Sequence, residues 1–287
     1  MSELPILQQL DSIEKLPTLP VVVSQINQLI ASNRSSMAQI AAVIARDQAI
    51  ASRVIRVVNS AFYGLQGRVS SIQQAITLLG LNTVKNLVTG VAVIKAFDNP
   101  GRSSIFDRQK FWMHTFACAV LSRGISRLRK CGEPEDYFMA GLLHDIGILV
   151  LDQFFHEKFI SILQEYAKNH TDYTETEIAI MHVTHCDIGE YLSQKWHIPE
   201  FLSLSIKYHH TPLFALNIPP STLDILFTVH VADSFIQSKG YHVGLKGEPA
   251  KGSRVILHRL GIIESDIIPA WEETQSTVAA VVREWGI

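Results

Sequence analysis

The stretch AGLLHDIGILVL, residues 140–151, decides how this chain folds. Asp145 is its one charged residue, and nearly everything around it is apolar. Such a run belongs to an interior. An ionised carboxylate buried there alone is costly, so Asp145 requires a partner. A metal ion, an Arg, a Lys or a helix N-terminus would each serve. The adjacent His144 offers a neutral ring nitrogen, the commonest metal-binding group. A structural His–Asp hydrogen-bonded pair on a buried helix accounts for the dipeptide equally well.

Working outward, His114 shares a helical face with Ala117, Cys118, Leu121 and Ile125, a face that should point into a core. His185 falls in line with Ile188, Gly189, Leu192 and Trp196, where Gly189 leaves room for close helix packing, and His182 competes with it one turn earlier. His209 and His210 close the helix of Phe201, Leu204, Ile206 and Tyr208 just before Thr211-Pro212, because the residue before a proline avoids the α conformation. A histidine at such an end also has a plain role in bonding free carbonyls. Asp233 stands on a helix beside Val229 and Ile236, and a local pair with His230 is its structural alternative. Imidazoles and carboxylates together suit iron, zinc, manganese or nickel better than calcium or magnesium. With one carboxylate bridging, the set would hold one or two ions. Two ions a few ångströms apart can clamp the attacking and leaving oxygens of a phosphate ester.

The rest of the chain reads as helix. Ser36-x-x-Gln39 has the form of a capping box before AQIAAVIARD, and Ser71-x-x-Gln74 repeats it before AITLLG, where Gly80 suits a left-handed stop. Between them Gln48 to Tyr63 carries Ile50, Val54, Val57, Val58 and Phe62 at amphipathic spacing, and Leu81 to Phe97 is a further helix. A last amphipathic helix is expected over about 270–284, with Trp271, Val278, Val281 and Val282 inward. No stretch sustains the alternation of a strand. The polar segment 98–109 is read as a joint, and 238–253 as a long loop. The fold class is therefore all-α, with two helical modules: residues 1–100, and 101–287 including a C-terminal extension.

Composition narrows the classes. Hydrophobic residues make up 47% of the 287, enough for a substantial core, and the formal net charge of −2 excludes a globally basic nucleic-acid footprint. Three cysteines, Cys118, Cys131 and Cys186, form no CxxC pair, which argues against a disulfide framework and against a Cys-rich zinc module. The N-terminus lacks the pattern of a signal peptide, and apolar runs fall short of the ~18 residues of a membrane span. A cytoplasmic protein is expected.

The order His…His-Asp…His…His-His…Asp resembles the HD superfamily of metal-dependent phosphohydrolases. The phrasing GLLHDIG (141–147), His185-x-x-Ile-Gly, Trp196-x-Ile-Pro and Tyr208-His-His-x-Pro212 is similar to its HDOD branch, as are LPTLP (16–20), IARD (44–47), NSAFYG (59–64) and SIQQAITLLG (71–80). The match runs over about residues 10–238. This resemblance implies a compact helical fold whose second module is an HD-like bundle, and a role in bacterial signalling or regulation. It further implies that His114, His144, Asp145 and Asp233 hold a first metal, that Asp145 bridges, and that His185 with His209 or His210 holds a second. Catalysis, if present, would rest on Asp145 and His144. Two departures from the HD-GYP cyclic-dinucleotide phosphodiesterases disfavour that reaction here. Ile148 stands where those enzymes carry a lysine, and no Gly-Tyr-Pro follows the paired histidines.

A metal-binding regulatory or scaffolding protein with a signalling protein partner is thus the leading expectation. An active phosphohydrolase acting on a phosphoester or nucleotide is the alternative, with Arg123, Lys195 and Lys207 as candidate phosphate contacts. Neither nucleic acid nor membrane is expected as a partner. Arg53, Arg56 and Asn59 share one helical face, either solvated or an interaction surface.

Overall fold

The structure, a computed structural model, describes residues 6–13, 16, 18–31, 36–60, 62–97, 106–169, 172–243 and 253–285. Among these the chain is helical throughout and contains no strand. The elements in order are α1 (Ile6–Ser12), α2 (Val21–Ala31), α3 (Met37–Arg46), α4 (Gln48–Val58), α5 (Ile72–Leu79), α6 (Leu81–Ala96), α7 (Arg108–Arg129), α8 (Pro134–Leu143) and α9 (Ile146–Phe154). After these come α10 (His156–Asn169), α11 (Tyr173–Met181), α12 (His185–Lys195), α13 (Glu200–Tyr208), a 3-10 turn (Pro212–Phe214), α14 (Pro220–Ser238), α15 (Ser253–Leu260) and α16 (Glu264–Glu284).

Two compact units emerge. The larger comprises 1–16 with 100–274, the smaller 17–99 with 275–287. From sequence a single division falls at residue 100. The units share that division and cross it at both chain ends. The expected joint at 98–109 and the loop at 238–253 fall largely outside the described residues.

In the smaller unit the helix boundaries follow from side-chain caps. Ser36 and Gln39 form the expected reciprocal box, and Asp47 closes α3 while its carboxylate accepts from the Ile50 amide to open α4. The expected run from Gln48 to Tyr63 stops at Val58. Asn59 ends it: its Nδ2 donates to the carbonyls of Ile55 and Val69, and its Oδ1 accepts from the Val69 amide. Gly80 has the positive φ expected of a helix stop, but its ψ of 159° lies outside the left-handed helical region, and α6 begins at the next residue. Ile44, Ile50, Val54, Val57, Val84 and Val88 are fully buried core.

In the larger unit, α7, α8, α9, α12, α13 and α14 pack on one another. Three glycine contacts set their spacing. A Cβ on Gly141 of α8 would stand 2.8 Å from the Ala119 backbone of α7, and one on Gly147 of α9 would collide with the His185 carbonyl oxygen of α12. Gly189, one turn further along α12, would place a Cβ 2.6 Å from Ile206 of α13. At Gly141 and Gly147 glycine therefore permits backbone approaches that any side chain would force apart, and at Gly189 it leaves room for the Ile206 side chain. The stretch 134–154 is long and apolar enough to cross a membrane, contrary to the short apolar runs expected. It is broken into two helices and 89% of its most apolar 18 residues are buried, which makes it the core of this bundle. The final helix starts at Glu264, six residues before its expected start, where the Asp266 carboxylate accepts from the Ile263 amide.

Candidate metal centre

Every residue the sequence singled out for metal lies at the heart of the larger unit. His114, His144, His185 and His209 are buried, as are Asp145 and Asp233. His144 and Asp145, expected on one buried helix, lie instead in the break between α8 and α9. The cause is local. The His144 ring, through Nδ1, bonds the Gly141 carbonyl at 2.7 Å, an acceptor that a continuing helix would use for its own ladder. His209 repeats the device at the end of α13, where Nδ1 donates to the Ile206 carbonyl at 2.8 Å. The plain capping role and the ligand role thus fall on opposite nitrogens of one ring.

The same division holds for the other two rings. His114 Nδ1 lies 3.0 Å from the Tyr241 carbonyl, and His185 Nδ1 lies 2.8 Å from Glu177 Oε2. Carbonyl and carboxylate oxygens only accept, so each ring carries its proton on Nδ1. In the neutral form each Nε2 is then a bare lone pair, and all four point inward. Metal-ligating histidines carry this signature: the remote nitrogen is held by an oxygen and the near one is left for the ion.

The inward atoms fall into two groups that share Asp145. On one side His114 Nε2 lies 3.3 Å from His144 Nε2, 3.4 Å from Asp145 Oδ2 and 3.2 Å from Asp233 Oδ1. His144 Nε2 closes the group at 3.2 Å from Asp145 Oδ2. On the other side Asp145 Oδ1 lies 3.3 Å from both His185 Nε2 and His209 Nε2, which are 3.4 Å apart. His210 Nε2 joins them at 3.2 Å from His185 Nε2. Donors about 2.1 Å from one tetrahedral ion stand ~3.3 Å from each other, and these separations lie near that value, while His144 Nε2 and Asp233 Oδ1 are wider apart at 3.8 Å. Asp145 Oδ1 is buried and accepts no hydrogen bond, an orphan that a cation would satisfy.

Charge tells the same story. Burial pulls the His114 and His209 rings down, yet the carboxylates and other acidic groups beside them outweigh it and push each up to about 9. Burial pushes Asp145 up, but the imidazoles of His144, His114 and His185 bring it well below its usual range. His210, desolvated and facing His209 and His185, is held well below the ordinary histidine value. The pocket attracts positive charge, and a divalent ion or protons would supply it.

Some side chains were not legible from sequence. Glu177, eight residues before His185, orients that ring and also accepts from its backbone amide at 3.1 Å. Cys186 places its sulfur 3.5 Å from His185 Nε2. His230 makes no ion pair with Asp233. Its Nδ1 lies 2.6 Å from the His209 carbonyl, while Asp233 Oδ1 accepts from Gln237. His182 is exposed at the end of α11, so His185 is the inward member of that pair.

Residues 16–212 match the HDOD domain, well over half the chain. The chain belongs to the HDOD family. A curated relative, an uncharacterised protein of Treponema pallidum, is 26% identical over 203 residues, which are 70% of this chain and 38% of that one. This HDOD chain thus spans well under half the length of that relative. Among solved structures, an HDOD domain protein of unknown function from Geobacter sulfurreducens superposes with a TM-score of 0.75 at 23% identity, over 97% of this chain and 95% of that one. A candidate phosphohydrolase from Shewanella amazonensis gives 0.72 at 22% identity, over 97% and 96%. Those likenesses establish the helical HDOD fold.

Proposed function

We propose that this HDOD protein serves bacterial signalling or regulation and that its larger unit holds one or two divalent transition ions, iron, manganese, zinc or nickel. One observation carries the reading: the two oxygens of Asp145 each face a separate group of inward Nε2 atoms whose partner nitrogens are tied to oxygen. His114, His144, Asp145 and Asp233 would hold one ion. His185, His209, His210 and the second oxygen of Asp145 would hold the other. Bound there, a divalent ion supplies Lewis acidity toward a phosphoryl oxygen. The protein's own residues fix the donor rings, exclude water from them and tie the helices that carry them to one point.

The surroundings favour regulation over turnover. Arg123 is engaged by Glu135, Lys207 by Asp187 and Glu190, and Lys195 is exposed against Tyr191. Ile148 is buried in the core. None of these offers the phosphate contact that a hydrolase requires. In this reading the metal staples the bundle and an outer helical face recruits a signalling protein.

The test is elemental analysis of tag-free protein beside Asp145→Ala. One or two transition ions per chain, lost in the variant together with thermal stability, would support the centre. Unchanged metal content and melting in the variant would overturn it. A hydrolase acting on a phosphoester or nucleotide is the second reading, favoured by the bridging position of Asp145. Turnover of a phosphoester panel by metal-loaded protein, abolished by Asp145→Ala, would establish it.

A further inference from the structure

We infer that Cys186 is a sulfur ligand of the ion held by His185, His209 and His210, so that the two ion positions differ in chemistry. The inference rests on the metal reading above and goes beyond it.

Cys186 is buried in the first turn of α12. Its Sγ lies 3.5 Å from His185 Nε2 and 4.0 Å from His209 Nε2. The sulfur and one nitrogen from each of His185, His209 and His210 all fall within 4.8 Å of one another. With zinc–sulfur near 2.3 Å and zinc–nitrogen near 2.05 Å, a tetrahedral shell of this sulfur and the three imidazoles, with Cys186 in the place of Asp145 Oδ1, sets sulfur ~3.5 Å and nitrogen ~3.3 Å from a neighbouring nitrogen. The Cys186–His185 distance and the two separations from His185 to His210 and His209, 3.2 and 3.4 Å, meet those values, and the Cys186–His209 contact requires a shift of about half an ångström.

The other position has no such donor in its group, which is His114, His144 and Asp233. Cys118 stands beside His144 and also meets the Val229 carbonyl and Ser122, but its sulfur lies outside the group that His144 forms with His114 and Asp233. One position is therefore nitrogen and oxygen, and the other nitrogen and sulfur. Thiolate favours zinc, whereas imidazole with carboxylate accepts iron or manganese. On binding, the S–H bond of Cys186 breaks, a sulfur–metal bond forms and the proton leaves to solvent. The centre would then be a mixed pair, with zinc at the Cys186 position.

The experiment loads the full-length apo-protein with Co(II) under anaerobic conditions and records the near-ultraviolet spectrum. The expected result is a sulfur-to-cobalt charge-transfer band that is lost in Cys186→Ser and kept in Cys118→Ser and Cys131→Ser. Bound cobalt without such a band would overturn the sulfur ligand and leave the metal centre standing. A band that survives in Cys186→Ser would also overturn it. No cobalt bound at all would overturn both readings. Zinc-edge X-ray absorption of the wild-type protein tests the point without a variant: a sulfur scatterer is expected, and a shell of nitrogen and oxygen alone would sink the proposal.

Discussion

Glu177 Oε2 stands 2.8 Å from Nδ1 of His185 and 3.1 Å from the backbone nitrogen of the same residue. One oxygen thus meets the first backbone N–H of α12 and sets the tautomer of a ring whose far nitrogen faces Asp145. Glu177→Ala should weaken binding at that position by about 10–100-fold, the usual cost of removing an outer carboxylate from a ligating histidine. Glu177→Gln, whose amide oxygen can still accept, should fall between. Chelator competition on the two variants measures this, and equal affinity in wild type and Glu177→Ala would show that the ring needs no orienting group.

Gly147 concerns geometry rather than chemistry. Its Cβ would occupy the space of the His185 carbonyl oxygen, which is backbone and has nowhere to go. Gly147→Ala should therefore separate α9 from α12, carry Asp145 away from His185 and cost about 1–3 kcal/mol or more, as overpacking does. Denaturant unfolding and metal content should fall together. A variant with native stability would mean that the two helices can part without loss.

The pH dependence of the bundle should show at Asp224. Its carboxylate accepts from Arg129 through both oxygens, at 2.7 and 2.8 Å, and from Tyr137 at 2.6 Å. Burial pushes Asp224 up, but these hydrogen bonds and the Arg129 charge hold it below the usual carboxylate range. The folded state therefore binds its proton less readily than the unfolded chain, whose Asp titrates near ~4. The stability contributed by Asp224 is full above that unfolded value and is lost as pH falls through the lower folded value. Asp224→Asn should cost about 1.5–3 kcal/mol near neutral pH, typical of charge-assisted hydrogen bonds, with the deficit shrinking in acid. A deficit independent of pH would contradict the assignment.

Much of the centre was legible because helical periodicity is a statement about direction. His114, His185 and Asp233 sit at offsets of three and four from apolar residues, so their inward aim could be read before any coordinates. The choice between His182 and His185 could not, since both lie near a helix end and only packing exposes the first. Glu177 and Cys186 escaped for a different reason. Glu177 sits on a separate helix, where sequence offers no clue that its carboxylate meets an imidazole eight residues on. Cys186 neighbours the inward-facing His185, and adjacent helical residues ordinarily diverge. The breaks were harder than the helices. His144 ends α8 with its own ring, and which unit each chain end joins follows from packing that no local pattern records.

Asn59 is the sharpest of these cases. Its place on the Arg53–Arg56 face suggested a solvated or docking surface, yet its side chain reaches ten residues along the chain and binds both backbone groups of Val69. It also donates to Ile55 and so ends α4. An amide is required, because it presents a donor to two carbonyls and an acceptor to one N–H at once. Asn59→Ala should remove about 1–3 kcal/mol from the smaller unit and speed hydrogen exchange at the Val69 amide, whose partner is lost. Asn59→Asp separates the two roles. It keeps an acceptor for the Val69 amide but turns a charged oxygen toward the carbonyls of Ile55 and Val69. It should therefore destabilise at least as much as alanine at neutral pH and recover part of the loss in acid, where the protonated carboxyl donates again. If the Asn59→Asp variant matched the wild type at neutral pH, the carbonyl contacts would contribute nothing, and α4 would owe its end to the Val69 amide alone.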